Sequence, residues 1–151
     1  MIIFDIDGVL ADTNDREKFL IGKNNSEVDW EVFFQDAIND LPLPAGILVA
    51  KAIISYLPQT DILFLTARDE TVRNITINWL SNQLQINPNY IDLKMRAKGN
   101  YIESVKFKEK VGLEIGFGNI DLVFEDNPLI VDMWRKHNVV CYQTSSGMRL
   151  D

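Results

Sequence analysis

Among 151 residues there is one cysteine, Cys141, and one histidine, His137. A single cysteine excludes an internal disulfide and a cysteine-rich zinc site. Basic residues are the minority: 15 Lys and Arg stand against 22 Asp and Glu, a formal net charge of -7. That balance excludes nucleic-acid binding through a broad basic surface, though not through a local basic patch. No apolar run approaches the ~18 residues that a membrane-spanning helix requires. No G-x-x-x-x-G-K-[S/T] occurs, so there is no P-loop to cradle a nucleotide's phosphates. No internal repeat, low-complexity tract or linker is visible. The first residues read as a short strand without the basic leader of a signal peptide. A cytoplasmic location is therefore expected.

What remains is the composition of an ordinary globular chain, with 46% hydrophobic and 25% charged residues. Its length suits one domain over residues 1–151. Apolar runs of strand type lie at residues 1–5, 61–66, 90–96, 119–126 and 139–144. Near-continuous runs of this length suit strands buried on both faces. Helical stretches separate them: "GILVAKAIISYL", "DETVRNITINWLSNQL", "ESVKFKEKVG" and "NPLIVDMWRKH". Asp69 and Asn127 are set to cap helices, and Pro128 suits a first helical position. The alternation predicts an α/β fold, a Rossmann-like parallel sheet with helices on both faces. "VDWEVFFQDAIND" reads as an extra amphipathic helix inside a small insertion, residues 13–43 or so, after the first strand. So short an insertion would leave a site open to bulky or polymeric substrates.

The opening "MIIFDIDGVLADTNDR" ends an apolar strand in two carboxylates, Asp5 and Asp7, followed by Gly8. A fold gains nothing from that arrangement. Asp is a poor strand residue, and buried carboxylates are costly unless paired or metal-bound. A turn after a strand explains Asp and Gly equally well in isolation. Other strand ends break the tie. The second strand ends in Thr66 with Arg68 just beyond, and a later one in Glu125 and Asp126. In parallel sheets ligands bind at the carboxyl ends of strands, and alternation turns Asp5 and Asp7 to one side. Four carboxylates gathered there need a cation. All-oxygen ligands favour Mg²⁺, which commonly shares its shell with a substrate phosphate; Mn²⁺ is not excluded. One carboxylate beside such an ion can attack phosphorus, and a second can move protons.

"FDIDGVLAD", "LFLTARDE" and "LVFEDN" resemble motifs one, two and four of the haloacid dehalogenase (HAD) superfamily. "VDWEVFF", "LKMRAKGNYIESVKFKEK" and "EDNPLIVDMWRKHNVVCYQTSSG" resemble the 3′-phosphatase domain of bacteriophage polynucleotide kinase and its stand-alone relatives. The resemblance runs from Ile2 to Gly147. It implies Asp5 as nucleophile and Mg²⁺ ligand, and Asp7 as general acid–base with its carbonyl on the metal. It implies Thr66 and Ala67 around the phosphoryl oxygens and Asp126 completing the metal site. Glu125 falls where that branch carries Asp, so it keeps the charge with one methylene more. Arg16, eleven residues after Asp5, and Arg68 match basic residues around the phosphate. The third motif is a lysine for which Lys106 and Lys108 compete; a gapless match from Gly99 favours Lys108. Ser104 stands where a carboxylate is frequent, and Val9 where many members have Thr.

The expected activity is Mg²⁺-dependent phosphomonoester hydrolysis through an aspartyl-phosphate, acting on 3′-phosphate ends of nucleic acid. A phosphatase of free nucleotides or other small phosphate esters is the first alternative, and the negative net charge favours it. A binding module that kept the fold and lost the chemistry is the second; the complete set of Asp5, Asp7, Thr66, Lys108 and Asp126 argues against it. Lys94, Arg96 and Lys98 form a basic cluster that is either solvated surface or a phosphate-facing rim. Trp30, Trp79, Trp134 and Cys141 read as core, and His137 as a structural residue near a helix C-terminus.

Overall fold

The computed structural model of the chain describes residues 1–14, 36–100 and 102–144. Five parallel strands form the central sheet: β1 (Ile2–Phe4), β4 (Ile62–Asp69), β5 (Asp92–Arg96), β6 (Leu122–Glu125) and β7 (Cys141–Gln143), in the order β5-β4-β1-β6-β7. The chain builds outward from β1 through β4 to β5. It then crosses back to β6 on the other side of β1. That reversal opens a crevice at the carboxyl edge beside β1, where ligands bind in sheets of this kind. A small antiparallel clasp of β2 (Ala11–Asp12) and β3 (Leu41–Pro42) stands apart from the sheet.

Four helices cover the sheet among the described residues: α1 (Pro44–Tyr56), α2 (Arg73–Leu84), α3 (Ser104–Ile115) and α4 (Pro128–Lys136). Two apolar layers show how alternation divides the strands. Ile2 and Phe4 face Ile47 and Ala50 of α1 and Trp79 and Leu80 of α2. Ile3 faces the other way, toward Val111 of α3 and Val131 and Trp134 of α4. Each side chain of this size contributes about 1.5–3 kcal/mol when fully buried, so both faces are needed to hold β1 in the centre. Asn127 caps α4 by accepting from the Leu129 backbone N–H, with Pro128 in the first turn. Asp69 caps a short 3-10 turn, Glu70–Val72, that leads into α2.

The α/β expectation holds, with two differences. β4 runs on to Asp69, so Thr66 and Arg68 lie inside it rather than at its end. Its register with β5 shifts between Leu65 and Asp69. Bulges of this kind re-aim side chains and are common beside active sites. The second difference is the clasp: the last residues of "VDWEVFFQDAIND" form a 3-10 turn, Asp36–Asn39, and the chain then pairs back onto Ala11 and Asp12. The rest of that stretch, with Trp30 and Arg16, lies outside the described residues.

Candidate active site

Asp5 follows β1 directly, and its backbone N–H donates to Phe124 O on β6 at 3.0 Å. The next residues turn so tightly that the N–H groups of Val9, Leu10 and Ala11 all donate to Ile6 O. Gly8 sits in the left-handed region at φ +74°, and a Cβ there would fall on the Asp126 carboxylate. Glycine is thus demanded twice, by the turn and by the approach of β6. This explains why the strand ends in Asp-Ile-Asp-Gly: the turn brings Asp5, Asp7 and Asp126 to one cavity.

Two buried cations organise those carboxylates. Lys108, on α3, is almost wholly buried, and its Nζ lies 2.9 Å from Asp5 Oδ2 and 2.6 Å from Glu125 Oε2. Lys106 points elsewhere, with its side chain 63% exposed and paired with Glu103 at 3.1 Å. The competition between the two lysines thus has a geometric answer: Lys108 alone reaches the strand ends. The second cation is Arg68. Its Nε donates to both Asp7 oxygens at 3.1 Å, and its Nη2 donates to Asp7 Oδ1 at 2.6 Å and Asp40 Oδ2 at 2.8 Å. Its Nη1 is buried without a partner among the described residues. Asp40, itself buried, also supplies its carbonyl to Trp79 Nε1 at 2.9 Å. Thr66 is fully buried; its hydroxyl donates to Asp7 Oδ2 at 3.4 Å and accepts from the Arg68 N–H at 3.2 Å.

Asp5, Glu125 and Asp126 each bring a carboxylate oxygen within 4.8 Å of the others. One ammonium does not balance three carboxylates. Burial, with the Glu125 charge behind it, holds the Asp5 carboxyl well above its usual range, against the opposing pull of Lys108. Burial and the Asp5 charge push Asp126 up to about 6. Lys108 is raised too: desolvation disfavours its charge, but the Asp5 and Glu125 carboxylates outweigh that and it stays protonated. Such a set is short of positive charge, and its ligand atoms are all oxygen, which fits a hard divalent cation. Both Glu125 oxygens are already engaged, since Oε1 accepts from the Asn127 N–H at 3.2 Å. Asp5 and Asp126 are left to face an ion, and Glu125 acts through Lys108. The Asp7 side chain stands with Arg68 rather than in this trio.

The cavity measures about 780 Å³ and is lined by Asp5, Asp7, Ala67, Arg68, Lys108 and Asp126, and on its far wall by Arg96 and Lys98. The basic cluster seen in sequence therefore divides: Lys94 is drawn to Glu114 at 2.5 Å, while Arg96 and Lys98 face the cavity. Sequence reading missed Asp40 altogether. An acidic residue between Asn39 and a Leu-Pro pair carries no local signal, and its partner Arg68 is 28 residues away. Cys141 is buried and its thiol is pushed up to about 12, chiefly by burial, so it supplies no thiolate. His137 ends α4, stacks on Phe117 at 3.8 Å and meets Glu109 at 2.8 Å.

This fold is that of the HAD-type hydrolases. A chain of the Pnkp1/Rnl/Hen1 complex superposes with a TM-score of 0.72 at 24% identity, covering 97% of this chain and 46% of that one. The class C acid phosphatase of Bacillus anthracis, with tungstate bound, gives 0.64 at 17% identity over 97% of this chain and 66% of that one. The HAD-family enzyme BT-2542 of Bacteroides thetaiotaomicron, in its magnesium complex, gives 0.53 at 11% over 99% and 95%. This chain thus spans about half the length of the Pnkp1-complex chain. No curated protein sequence matches it. The family is nonetheless defined: residues 1–148 match the polynucleotide kinase PNKP phosphatase domain, and the chain belongs to that family of HAD phosphatases.

Proposed function

We propose that this phosphatase hydrolyses phosphomonoesters in two steps through an aspartyl-phosphate on Asp5, with Mg²⁺ bound, and that its substrates are 3′-phosphate ends of nucleic acid. The observation that carries the chemistry is the Lys108 ammonium between Asp5 and Glu125 at the carboxyl edge of the sheet, with Asp126 beside them. Asp5 Oδ attacks phosphorus, the bond to the leaving oxygen breaks, and Asp7 gives that oxygen a proton. Asp7 then takes a proton from the water that cleaves the acyl phosphate, which returns both carboxylates to their starting state. Arg68 clamps Asp7 from two nitrogens and so fixes the direction of proton transfer. Lys108 offsets charge on the transferring group, the Thr66 hydroxyl steadies Asp7, and Nη1 of Arg68, unpartnered among the described residues, suits a phosphoryl oxygen. Asp5 and Asp126 would hold the Mg²⁺, with the Asp7 carbonyl; bound there, it neutralises the paired carboxylates and the phosphate oxygens.

The family and the cavity support the substrate. The family is that of a polynucleotide-processing enzyme's phosphatase domain, and one relative of known structure is part of a Pnkp1/Rnl/Hen1 RNA repair complex. The cavity, about 780 Å³ with Arg96 and Lys98 in its wall, exceeds what a bare phosphate fills. The net charge of -7 favours a second reading, a phosphatase of free nucleotides. One panel separates the two: phosphate release from 3′-phosphorylated oligonucleotides, 5′-phosphorylated oligonucleotides and mononucleotides, with Mg²⁺ or with chelator. The proposal expects the 3′-phosphorylated strand to lead and chelator to abolish turnover. Mononucleotides leading at every salt concentration supports the nucleotidase, and full activity in chelator refutes the metal.

A further inference from the structure

Arg96 ends β5 opposite Asp69 and is half-buried in the far wall of the cavity. Its Nη2 donates to Ser104 Oγ at 3.1 Å, while its Nε is buried with no partner among the described residues. A buried donor left unsatisfied is costly, so this one is expected to meet an acceptor that the described residues do not provide. Asp69, its register partner on β4, already accepts from the N–H groups of Thr71 and Gly99. Burial is the larger influence on the guanidinium and weakens its hold on the proton, with Asp69 only partly offsetting it. Lys98, Gly99 and Asn100 line the same cavity.

Both anchoring residues stand on α3. Ser104, which holds Arg96, lies one turn before Lys108, which holds Asp5. Residues four apart share a helix face, about 6 Å from one another along the axis. Arg96 and Lys108 line one cavity of about 780 Å³, more room than a single phosphate fills. An arginine fork suits two oxygens of one phosphate.

We propose that Arg96, with Lys98 beside it, is a second phosphate subsite that takes the phosphate on the 5′ side of the sugar whose 3′-phosphate is being removed. It deepens the 3′-end reading given above and rests on it. The minimal good substrate is then a nucleoside 3′,5′-bisphosphate unit, either free or as the last nucleotide of a strand. Arg96 and Lys98 set specificity and touch no reacting atom.

The test compares kcat/KM for a nucleoside 3′-monophosphate, the matching 5′-monophosphate, the 3′,5′-bisphosphate and a dinucleotide 3′-phosphate, in the wild-type protein and in Arg96→Gln, Arg96→Lys and Lys98→Gln. The bisphosphate is expected to exceed the 3′-monophosphate by at least tenfold, mainly through KM. In Arg96→Gln that ratio should fall to near one, and Arg96→Lys should restore part of it. Lys98→Gln, at an exposed position where folding is not at stake, should lower it a few-fold. A dinucleotide that behaves like the bisphosphate supports a subsite that serves strand ends; a bisphosphate advantage that the dinucleotide lacks supports one that serves free nucleotides. Equal kcat/KM for bisphosphate and 3′-monophosphate overturns the subsite and leaves the 3′-end reading standing. An equal loss on both substrates in Arg96→Gln also overturns it, by making Arg96 structural. Equal turnover of 3′- and 5′-monophosphates overturns the 3′-end reading and the subsite together.

Discussion

Lys108 and Arg68 are both buried cations that bridge two carboxylates, yet they are built for different work. Lys108 comes from a helix and meets Asp5 and Glu125 at the ends of two adjacent strands. Its ammonium is a compact charge with rotatable donors. It leaves a third carboxylate, Asp126, within reach of the same cluster, so this half of the site stays short of positive charge. Arg68 comes from the irregular end of β4 and grips Asp7 with two nitrogens. A planar fork fixes orientation as well as charge. Under the proposed mechanism the two divide the work: the lysine cluster serves the ion and the phosphoryl group, and the arginine cluster holds the proton carrier still.

Breaking the lysine cluster at its centre should have the largest effect. Asp5→Asn keeps the shape and removes the attacking charge. Turnover of an aryl phosphate in Mg²⁺ should fall by at least about 10³-fold, as losses of nucleophiles do, while circular dichroism stays unchanged. Substantial residual turnover with no phosphorylated protein in acid-quenched samples would remove Asp5 from the mechanism.

Next comes the cation itself. Lys108→Ala leaves Asp5 and Glu125 buried without their counter-charge, which costs about 3–5 kcal/mol of stability for a broken buried pair. It should also cost on the order of 10²–10³ in kcat. Lys106→Ala, at an exposed position paired only with Glu103, should stay within about 0.5 kcal/mol of wild type. Thermal denaturation and steady-state kinetics on both variants decide the matter; like effects would refute the assignment to Lys108.

The arginine cluster is probed through Asp40. Asp40→Asn removes one arm of the clamp while leaving Asp7 and its pairing atoms in place. About 10- to 100-fold should be lost from kcat, the range that losing a supporting partner of a working group costs elsewhere. The loss should be greater for alkyl phosphates, whose leaving group needs the proton from Asp7, than for an aryl phosphate with an acidic leaving group. A uniform loss across leaving groups would show that Asp40 supports packing around Trp79 rather than proton transfer.

The legibility of these two clusters differs for a physical reason. Asp5, Asp7, Glu125 and Asp126 sit where apolar strands end, and carboxylates at that edge conflict with strand propensity, so the conflict itself marks them. The parallel sheet was legible for the same reason, through uniform apolar runs split by helix-period stretches. Asp40 carries no such mark, because its meaning arises only when a buried arginine from another strand reaches it. The end of β4 misled for a related reason: an irregularity in pairing places polar residues inside a strand that reads as finished at Thr66. The β2–β3 clasp was hidden by its size, since two pairs of residues give alternation nothing to act on. Lys94, Arg96 and Lys98 looked like one cluster in sequence, and only the position of Glu114 on α3 draws Lys94 away from the others.

The smallest expected effect tests the charge imbalance of the lysine cluster without any chemistry. Asp126 titrates near 6 in the folded protein against an ordinary value of 3.8, and Asp5 is raised in the same direction. Between those two values the folded state holds protons that the unfolded chain has released. Stability therefore falls as pH rises from about 4 through about 6 on the Asp126 share alone. About two pH units correspond to roughly 3 kcal/mol; solvent at the partly exposed Asp126 reduces its own share to about 1–2 kcal/mol. For a chain of this length that is a thermal midpoint lower by about 2–8 °C. The measurement is thermal denaturation in chelator from pH 4.5 to 7.5, on the wild-type protein and on Asp126→Asn. The variant should show a flatter fall across the window and a higher midpoint than wild type at pH 7. Millimolar Mg²⁺ should reverse the trend for the wild type, because an ion binds the ionised carboxylates and so favours the folded state more as pH rises. If Asp126→Asn keeps the full wild-type slope in chelator, the strained charge lies elsewhere, and the contrast between a charge-starved lysine cluster and a settled arginine cluster loses its basis.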